Sequence, residues 1–281
     1  MKNIYILVIL AIILFSCEKE KQNSEQGVSN VIDNEVKECV LATEPSVYSN
    51  YFNNDSYLAG YSSVKQNSLS DEELVPIFVE QENGLKSTKQ IAFTANNHDV
   101  LAGVSNLKSA PITKGHDLFN SWYGQDVKFI LSSNSKLKSA SSVDTVAIEM
   151  YVPELVEILS PPIETAQELY PYCYYDNFIL KWNADINNEN GLVVIVEWLG
   201  TVLSEDEDEA TYVRNIDVIK EDDGEVVLNS KLFDNIPNKA LAYVTLLRGN
   251  IEIAELDSTS YRVFGESHAI LPMVLVKEIN N

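Results

Sequence analysis

Residues suited to acid–base or nucleophilic chemistry are few in this sequence. There are three histidines, His98, His116 and His268, and none lies in an HExxH pattern or at a zinc-ligand spacing from a cysteine. The run Gly265–Ala269 has the first glycine and the serine of a nucleophile elbow, but it lacks the second glycine, and no histidine follows it. Adjacent side chains on a strand point to opposite faces, so Ser267 and His268 would not pair. We therefore predict no catalytic residue.

Carboxylates are abundant, with 42 Asp and Glu residues. Two carboxylates about 5–9.5 Å apart can hydrolyse glycosides, but no pair is singled out by its neighbours. The segment Asn183–Gly191 alternates oxygen donors, yet Asn188 and Val194 stand where an EF-hand loop needs glycine and glutamate. The five carboxylates Glu205–Glu209 are typical of a solvated loop. We predict no metal and no cofactor, with calcium at the first loop as an alternative.

Aromatic residues give the only indication of binding. Tyr170, Tyr172 and Tyr174 alternate along the chain, so they would share one face of a strand, and Trp122 is followed by Tyr123. Flat exposed rings offer contact area to sugars or proteins at little entropic cost. We expect the tyrosine face to point inward and to belong partly to the core. The alternative is that these five rings form a ligand-binding surface.

The N-terminus carries an export signal. Lys2 precedes an apolar run, Ile4–Phe15, that is twelve residues long, whereas a membrane-spanning helix needs about 20. The run fits a signal peptide and ends in Leu14-Phe15-Ser16-Cys17. This ending resembles the lipobox of bacterial lipoproteins, although Phe15 departs from the commonest small residue there. The resemblance implies cleavage after residue 16 and acylation (palmitate included) of Cys17.

The next residues, Glu18-Lys19-Glu20, resemble the export signal of surface lipoproteins of the Bacteroidetes type. This implies a lipid-anchored, surface-exposed protein of the bacterial outer membrane. Two or three acyl chains on Cys17 would make the attachment effectively permanent. Residues 17–39 are polar, and we expect a flexible tether there. Cys39 and Cys173 then remain, either as a disulfide or as two separate thiols.

The net charge of −22 excludes nucleic acid as a partner, because phosphate binding needs cationic side chains. It also argues against direct docking on anionic lipid, so membrane attachment would come from the lipid anchor.

Short strand patterns with frequent turn signals predict an all-β protein with two β-sandwich, immunoglobulin-like domains in tandem after the tether. The predicted strands are 74–80, 90–95, 127–132, 143–151, 178–182, 192–198, 216–220, 225–228, 240–247, 261–264 and 270–277. The proline-punctuated passage 151–162 marks the boundary between residues 40–152 and 155–281. In the second domain, Asp222-Asp223-Gly224 predicts a tight hairpin between strands 216–220 and 225–228. The residue order there, with a proline-rich entry and a strand ending in Trp182, resembles a fibronectin type III or immunoglobulin-like module.

Together these patterns predict a non-catalytic binding or scaffold lipoprotein that engages a protein or a glycan. The alternatives are a strand-exchanging fibre subunit and a glycan-active hydrolase.

Overall fold

The computed structural model describes residues 37–40, 57–66, 73–79, 89–100, 116–135, 143–162, 170–175, 177–200 and 212–276. These residues form an all-β sandwich fold. One short α-helix, α1 (His116–Trp122), and one 3₁₀ helix (Ser230–Phe233) accompany the strands of this described part. The strands are β1 (Lys37–Val40), β2 (Tyr57–Gln66), β3 (Glu73–Val79), β4 (Lys89–Ala95), β5 (His98–Asp99), β6 (Gln125–Ser135), β7 (Val143–Val152), β8 (Ile158–Ser160), β9 (Tyr172–Tyr174), β10 (Ile179–Trp182), β11 (Leu192–Trp198), β12 (Val213–Ile219), β13 (Glu225–Val227), β14 (Ala240–Leu256) and β15 (Thr259–Val276).

Eight strands form one large sheet in the order β1-β12-β11-β14-β15-β2-β3, with β9 also paired to β15. Its longest members, β14 and β15, form a hairpin with 17 paired positions. The turn between them places Asp257 and Ser258 at φ angles of 51° and 62°, as a two-residue turn with positive φ at both central positions requires. Two smaller sheets, β13-β10-β8 and β5-β4-β6-β7, complete the fold.

Among the described residues, two large hydrophobic cores pack against this long hairpin, and a small third cluster contains Val193, Ile195, Ile216 and Leu247. The first lies mainly between residues 59 and 152, but it also contains Ala254, Leu256, Tyr261 and Val263 from the hairpin. The second begins at Val156 and includes the other end of the same hairpin, from Ala240 to Leu246 and from Ala269 to Leu275. The chain passes from the first core to the second between Leu155 and Val156, and the predicted domain boundary in this passage stays a prediction. Because β14 and β15 contribute to both cores, the arrangement does not confirm two sandwiches in tandem.

The predicted hairpin at Asp222-Asp223-Gly224 is wrong. Strand β12 pairs with β11 and β1, whereas β13 pairs with β10 in a different sheet. Gly224 does have a positive φ, of 90°, but its carbonyl oxygen accepts a hydrogen bond from Trp182 N at 3.0 Å. The turn therefore passes the chain from one layer of the sandwich to the other, and long-range pairing decides the partners of the flanking strands.

A layer of buried polar side chains separates the two cores. Arg248, with a fully buried side chain, lies there on β14, and its Nε is 2.8 Å from Asp222 Oδ2. The same carboxylate accepts hydrogen bonds from Trp182 Nε1 at 2.7 Å and from Asn188 Nδ2 at 2.9 Å. Arg248 Nη1 donates to the carbonyl oxygen of Glu154 at 3.2 Å. Buried charges need such partners, so this layer holds the segment between the cores against the hairpin.

Candidate binding surface

Strand β9 lies at an edge of the large sheet. It runs parallel to β15, with Tyr172, Cys173 and Tyr174 opposite Val274, Leu275 and Val276. Hydrogen bonds from Val274 N to Pro171 O (2.9 Å) and from Tyr175 N to Val276 O (3.1 Å) flank this pairing. Among the described strands, β15 alone pairs with β9.

The alternation of side chains on β9 exposes its tyrosines. Cys173 is buried in the second core, and burial raises the pKa of its thiol to about 12. Tyr172 and Tyr174, on the opposite face, are 65% and 53% exposed, and Tyr170, just before the strand, is 39% exposed. The expectation that this face points inward is therefore wrong. The three rings are among the few large hydrophobic side chains that the described residues present to solvent.

Tyr243 is a fourth member of this surface that the sequence analysis did not assign. It lies on β14 opposite Pro272 of β15, at the end of the sheet where β9 begins. Burial raises the pKa of Tyr243, and the nearby Tyr170 raises it further. The alternation of side chains along β14 identifies Tyr243 as facing away from the core. Ala242 and Val244 are core residues, so Tyr243 between them must lie on the opposite face. We call Tyr170, Tyr172, Tyr174 and Tyr243 the tyrosine surface.

Trp122 and Tyr123 do not belong to this surface, which corrects their prediction as ligand-binding aromatics. Trp122 is 0% exposed and Tyr123 is 8% exposed, both in the first core. The Tyr61 ring stacks on Trp122 with centroids 4.8 Å apart, and Tyr123 Oη donates to the carbonyl oxygen of Glu266 at 2.8 Å. Their rings are therefore packing residues.

A disulfide between Cys39 and Cys173 does not fit the sheet. Cys39 lies on β1 at one edge, Cys173 lies on β9, and β12, β11, β14 and β15 separate them. Five strand spacings of about 4.8 Å, about 24 Å along the sheet, separate them, whereas bridged cysteines need Cα atoms within about 7 Å. Cys173 is accordingly a free, buried thiol.

The serine and histidine of the run Gly265–Ala269 point to opposite faces of β15, as predicted. Ser267 Oγ accepts a hydrogen bond from Val156 N at 3.0 Å. His268 Nε2 lies 2.8 Å from Glu266 Oε1 on the other face, and both side chains are buried. Neighbouring strands place Ser62 opposite Glu266 and Val64 opposite His268. The structure therefore does not bring Ser267 and His268 together as a nucleophile and its base.

The side-chain oxygens of the loop Asn183–Gly191, which could ligate a metal ion, accept hydrogen bonds from the protein itself. Asp185 is buried, and its carboxylate accepts from Tyr151 Oη (3.0 Å), Glu154 N (2.8 Å) and Asn187 N (3.0 Å). Burial and the Asp185 carboxylate raise the pKa of Tyr151 to about 12. In the described part of the chain, no group of three or more His, Cys, Asp or Glu side chains could hold a metal ion. Calcium at this loop would have to displace these contacts.

Several predictions concern residues outside the described ranges: the signal peptide, Cys17, the tether as far as residue 36, and the carboxylate run 205–209. Among the described helices, none has the length and apolar character needed to cross a membrane.

Comparisons of the chain with protein-family models, with curated proteins and with solved structures found no match.

Proposed function

We propose that this chain is a membrane-anchored surface lipoprotein that acts as a non-catalytic binding or scaffold protein, with the tyrosine surface as its site for a protein or glycan partner. The single observation that carries the binding role is the exposure of Tyr172 and Tyr174 on an edge strand. The anchor is proposed from the resemblance of Leu14–Cys17 to a lipobox.

The environment of the tyrosines supports a binding role over a packing role. A tyrosine that only packs would bury its ring, as Tyr61 does at 0% exposure. Tyr172 and Tyr174 instead leave apolar rings in water, at a hydrophobic cost that contact with a partner would recover. Strand β9 is held by Cys173 in the core, so the rings are presented on a rigid element, which limits the entropy lost on binding.

The binding role is tested with the detergent-solubilised full chain on a glycan array and in pull-downs from the surface proteins of the producing bacterium. The double variant Tyr172→Ala, Tyr174→Ala should lose most of the captured material. The matched control is Ile253→Ala, because Ile253 is 63% exposed on β14 and lies outside the tyrosine surface. If the wild-type chain captures nothing, or the two variants capture the same material equally well, the binding role is refuted.

The anchor is tested separately by radiolabelled palmitate in the native host. The wild-type chain should incorporate the label, and Cys17→Ser should not. Equal labelling of both chains would contradict the lipobox assignment, whereas it would leave the tyrosine surface unaffected.

A second candidate function, the strand-exchanging fibre subunit, is favoured by the position of β1. This four-residue strand is the first described element of the chain, and among the described strands it lies at an edge of the large sheet and pairs, in parallel, with β12 alone. A short parallel edge strand has few hydrogen bonds to lose, so a strand from another copy could replace it. Removal of residues 17–40 should then produce polymers in sedimentation experiments. A strictly monomeric shortened chain would argue against the fibre.

A further inference from the structure

We propose that the edge of β9 that pairs with none of the described strands, called here its open edge, is a strand-addition site that takes an extended, positively charged segment of a partner protein. This inference rests on the proposed binding role of the tyrosine surface and names the chemistry of its partner. The recognition combines backbone hydrogen bonds to β9, contact with the tyrosine rings, and attraction between opposite charges.

The backbone of β9 directs N–H and C=O groups toward its open edge, as strand addition requires. The bonds of Pro171 O and Tyr175 N with β15 show that the odd-numbered residues point their peptide groups toward β15. In a parallel ladder the alternate residues then point theirs away. The N–H and C=O groups of Tyr172 and Tyr174 therefore face the open edge, where an extended segment could pair with them as an added strand.

The side chains of β9 suit this mode of binding. An added strand would place every second side chain on the same face as Tyr172 and Tyr174. The two rings lie beside Val274 and Val276 on that face, so they offer a flat aromatic and aliphatic surface. Cross-strand contacts between an aromatic ring and a neighbouring side chain stabilise paired strands, and a tyrosine face also attracts a lysine or arginine head group.

The net negative charge of the chain favours a positively charged partner segment. Acidic residues outnumber basic ones by 42 to 20, so the field around the molecule attracts positive partners and repels negative ones.

The test measures binding of short fluorescent peptides to the full chain in detergent by fluorescence anisotropy. The probe is a peptide of about eight residues with alternating lysine and threonine. The first control peptide replaces lysine by glutamate. The second keeps lysine but carries N-methyl groups at alternate residues on its pairing edge, which removes backbone hydrogen bonds without changing charge. The protein variants are Tyr172→Ala with Tyr174→Ala, and Ile253→Ala as the matched control.

We expect the lysine peptide to bind, the N-methylated peptide to bind at least about tenfold more weakly, and the glutamate peptide not to bind. The double tyrosine variant should bind the lysine peptide about tenfold more weakly than Ile253→Ala does. Equal binding of the two lysine peptides would overturn strand addition and leave a charge effect only. Failure of every peptide, with glycan binding still lost in the double tyrosine variant, would overturn this inference and keep the proposed function. Failure of every peptide, together with no capture by the wild-type chain on the glycan array or in the pull-downs, would refute both.

Discussion

Asp222 and Arg248 form a buried ion pair between the two cores, with Oδ2 and Nε 2.8 Å apart and both side chains at most 1% exposed. Asp222 comes from the turn that precedes β13, and Arg248 comes from the middle of β14. Their contact joins the long hairpin to the chain that leaves the sheet, so it is a structural link on which both cores depend.

Asp222→Ala should therefore destabilise the protein strongly. The variant leaves Arg248 buried without its carboxylate, which costs about 3–5 kcal/mol in comparable buried pairs. The matched control is Glu225→Ala, which removes the partner of Lys181 in a pair that is about half-exposed on both sides and should cost at most about 1 kcal/mol. Urea unfolding followed by circular dichroism measures both. Similar losses in the two variants would contradict the importance of the buried pair.

The thiol of Cys173 should be unreactive in the folded chain. Burial raises its pKa to about 12, so at pH 8 only about one thiol in ten thousand is the reactive thiolate. Iodoacetamide at pH 8 should label Cys173 in urea but not in native buffer, as read by peptide mass spectrometry. The same digest without reductant should contain no peptide that joins Cys39 to Cys173. Detection of that joined peptide would refute the placement of β1 and β9 at separate edges.

The stability of the fold should fall in alkaline solution. Burial raises the pKa of Tyr61 well above 10.0, so above about pH 10 the unfolded chain loses this proton while the folded chain keeps it. The contribution of Tyr61 is thus fully present below pH 10 and declines above it, by up to about 1.4 kcal/mol per pH unit.

Tyr61→Phe should lower overall stability, because Tyr61 Oη donates to the carbonyl oxygen of Trp122 at 2.7 Å, and it should flatten the decline between pH 10 and 11.5. Urea midpoints across this range measure the slope. Tyr172→Phe, which alters an exposed hydroxyl, serves as the control and should keep the wild-type slope. An unchanged slope in Tyr61→Phe would show that this hydroxyl is not buried.

Truncation of a buried aromatic residue should lower stability, whereas truncation of an exposed one should weaken partner capture. Trp122→Ala removes a fully buried ring and should cost about 3–5 kcal/mol of unfolding free energy. Tyr172→Ala removes a ring that is 65% exposed and should change stability by no more than about 0.5 kcal/mol, while it weakens partner capture. Thermal unfolding and pull-downs of the two variants provide the comparison. A large stability loss in Tyr172→Ala would make that ring a packing residue.

Local patterns predicted most strands well. The apolar run Leu192–Trp198 is β11 with the same bounds, and the β-branched stretch from Val143 is β7, one residue longer than predicted. Such strands can be recognised from the sequence because the pattern of apolar residues that defines them lies within the strand itself. The turn at Asp257-Ser258 contains no glycine, so local patterns do not indicate the β14–β15 hairpin and predict shorter, separate strands there.

Pairing between distant segments could not be predicted from local patterns. Nothing near Tyr57–Gln66 indicates that β2 pairs in parallel with β15, about 200 positions later. The orientation of Tyr172 and Tyr174 has the same origin. Period-two alternation groups them on one face, but which face is buried depends on β15, which places Cys173 in the core. The structure exposes the tyrosines of β9 and buries Trp122 and Tyr123, so the two buried rings are corrected, while ligand binding by the tyrosines stays a prediction.

Site-specific photocrosslinking on living cells tests the tyrosine surface most directly. A benzoylphenylalanine is placed at position 172 in one full-length chain and at position 253 in another, and both are irradiated on the cells that produce the protein. We expect covalent adducts of a discrete partner at position 172 and none at position 253. Adducts at neither position, or the same adducts at both, would contradict a binding role for β9.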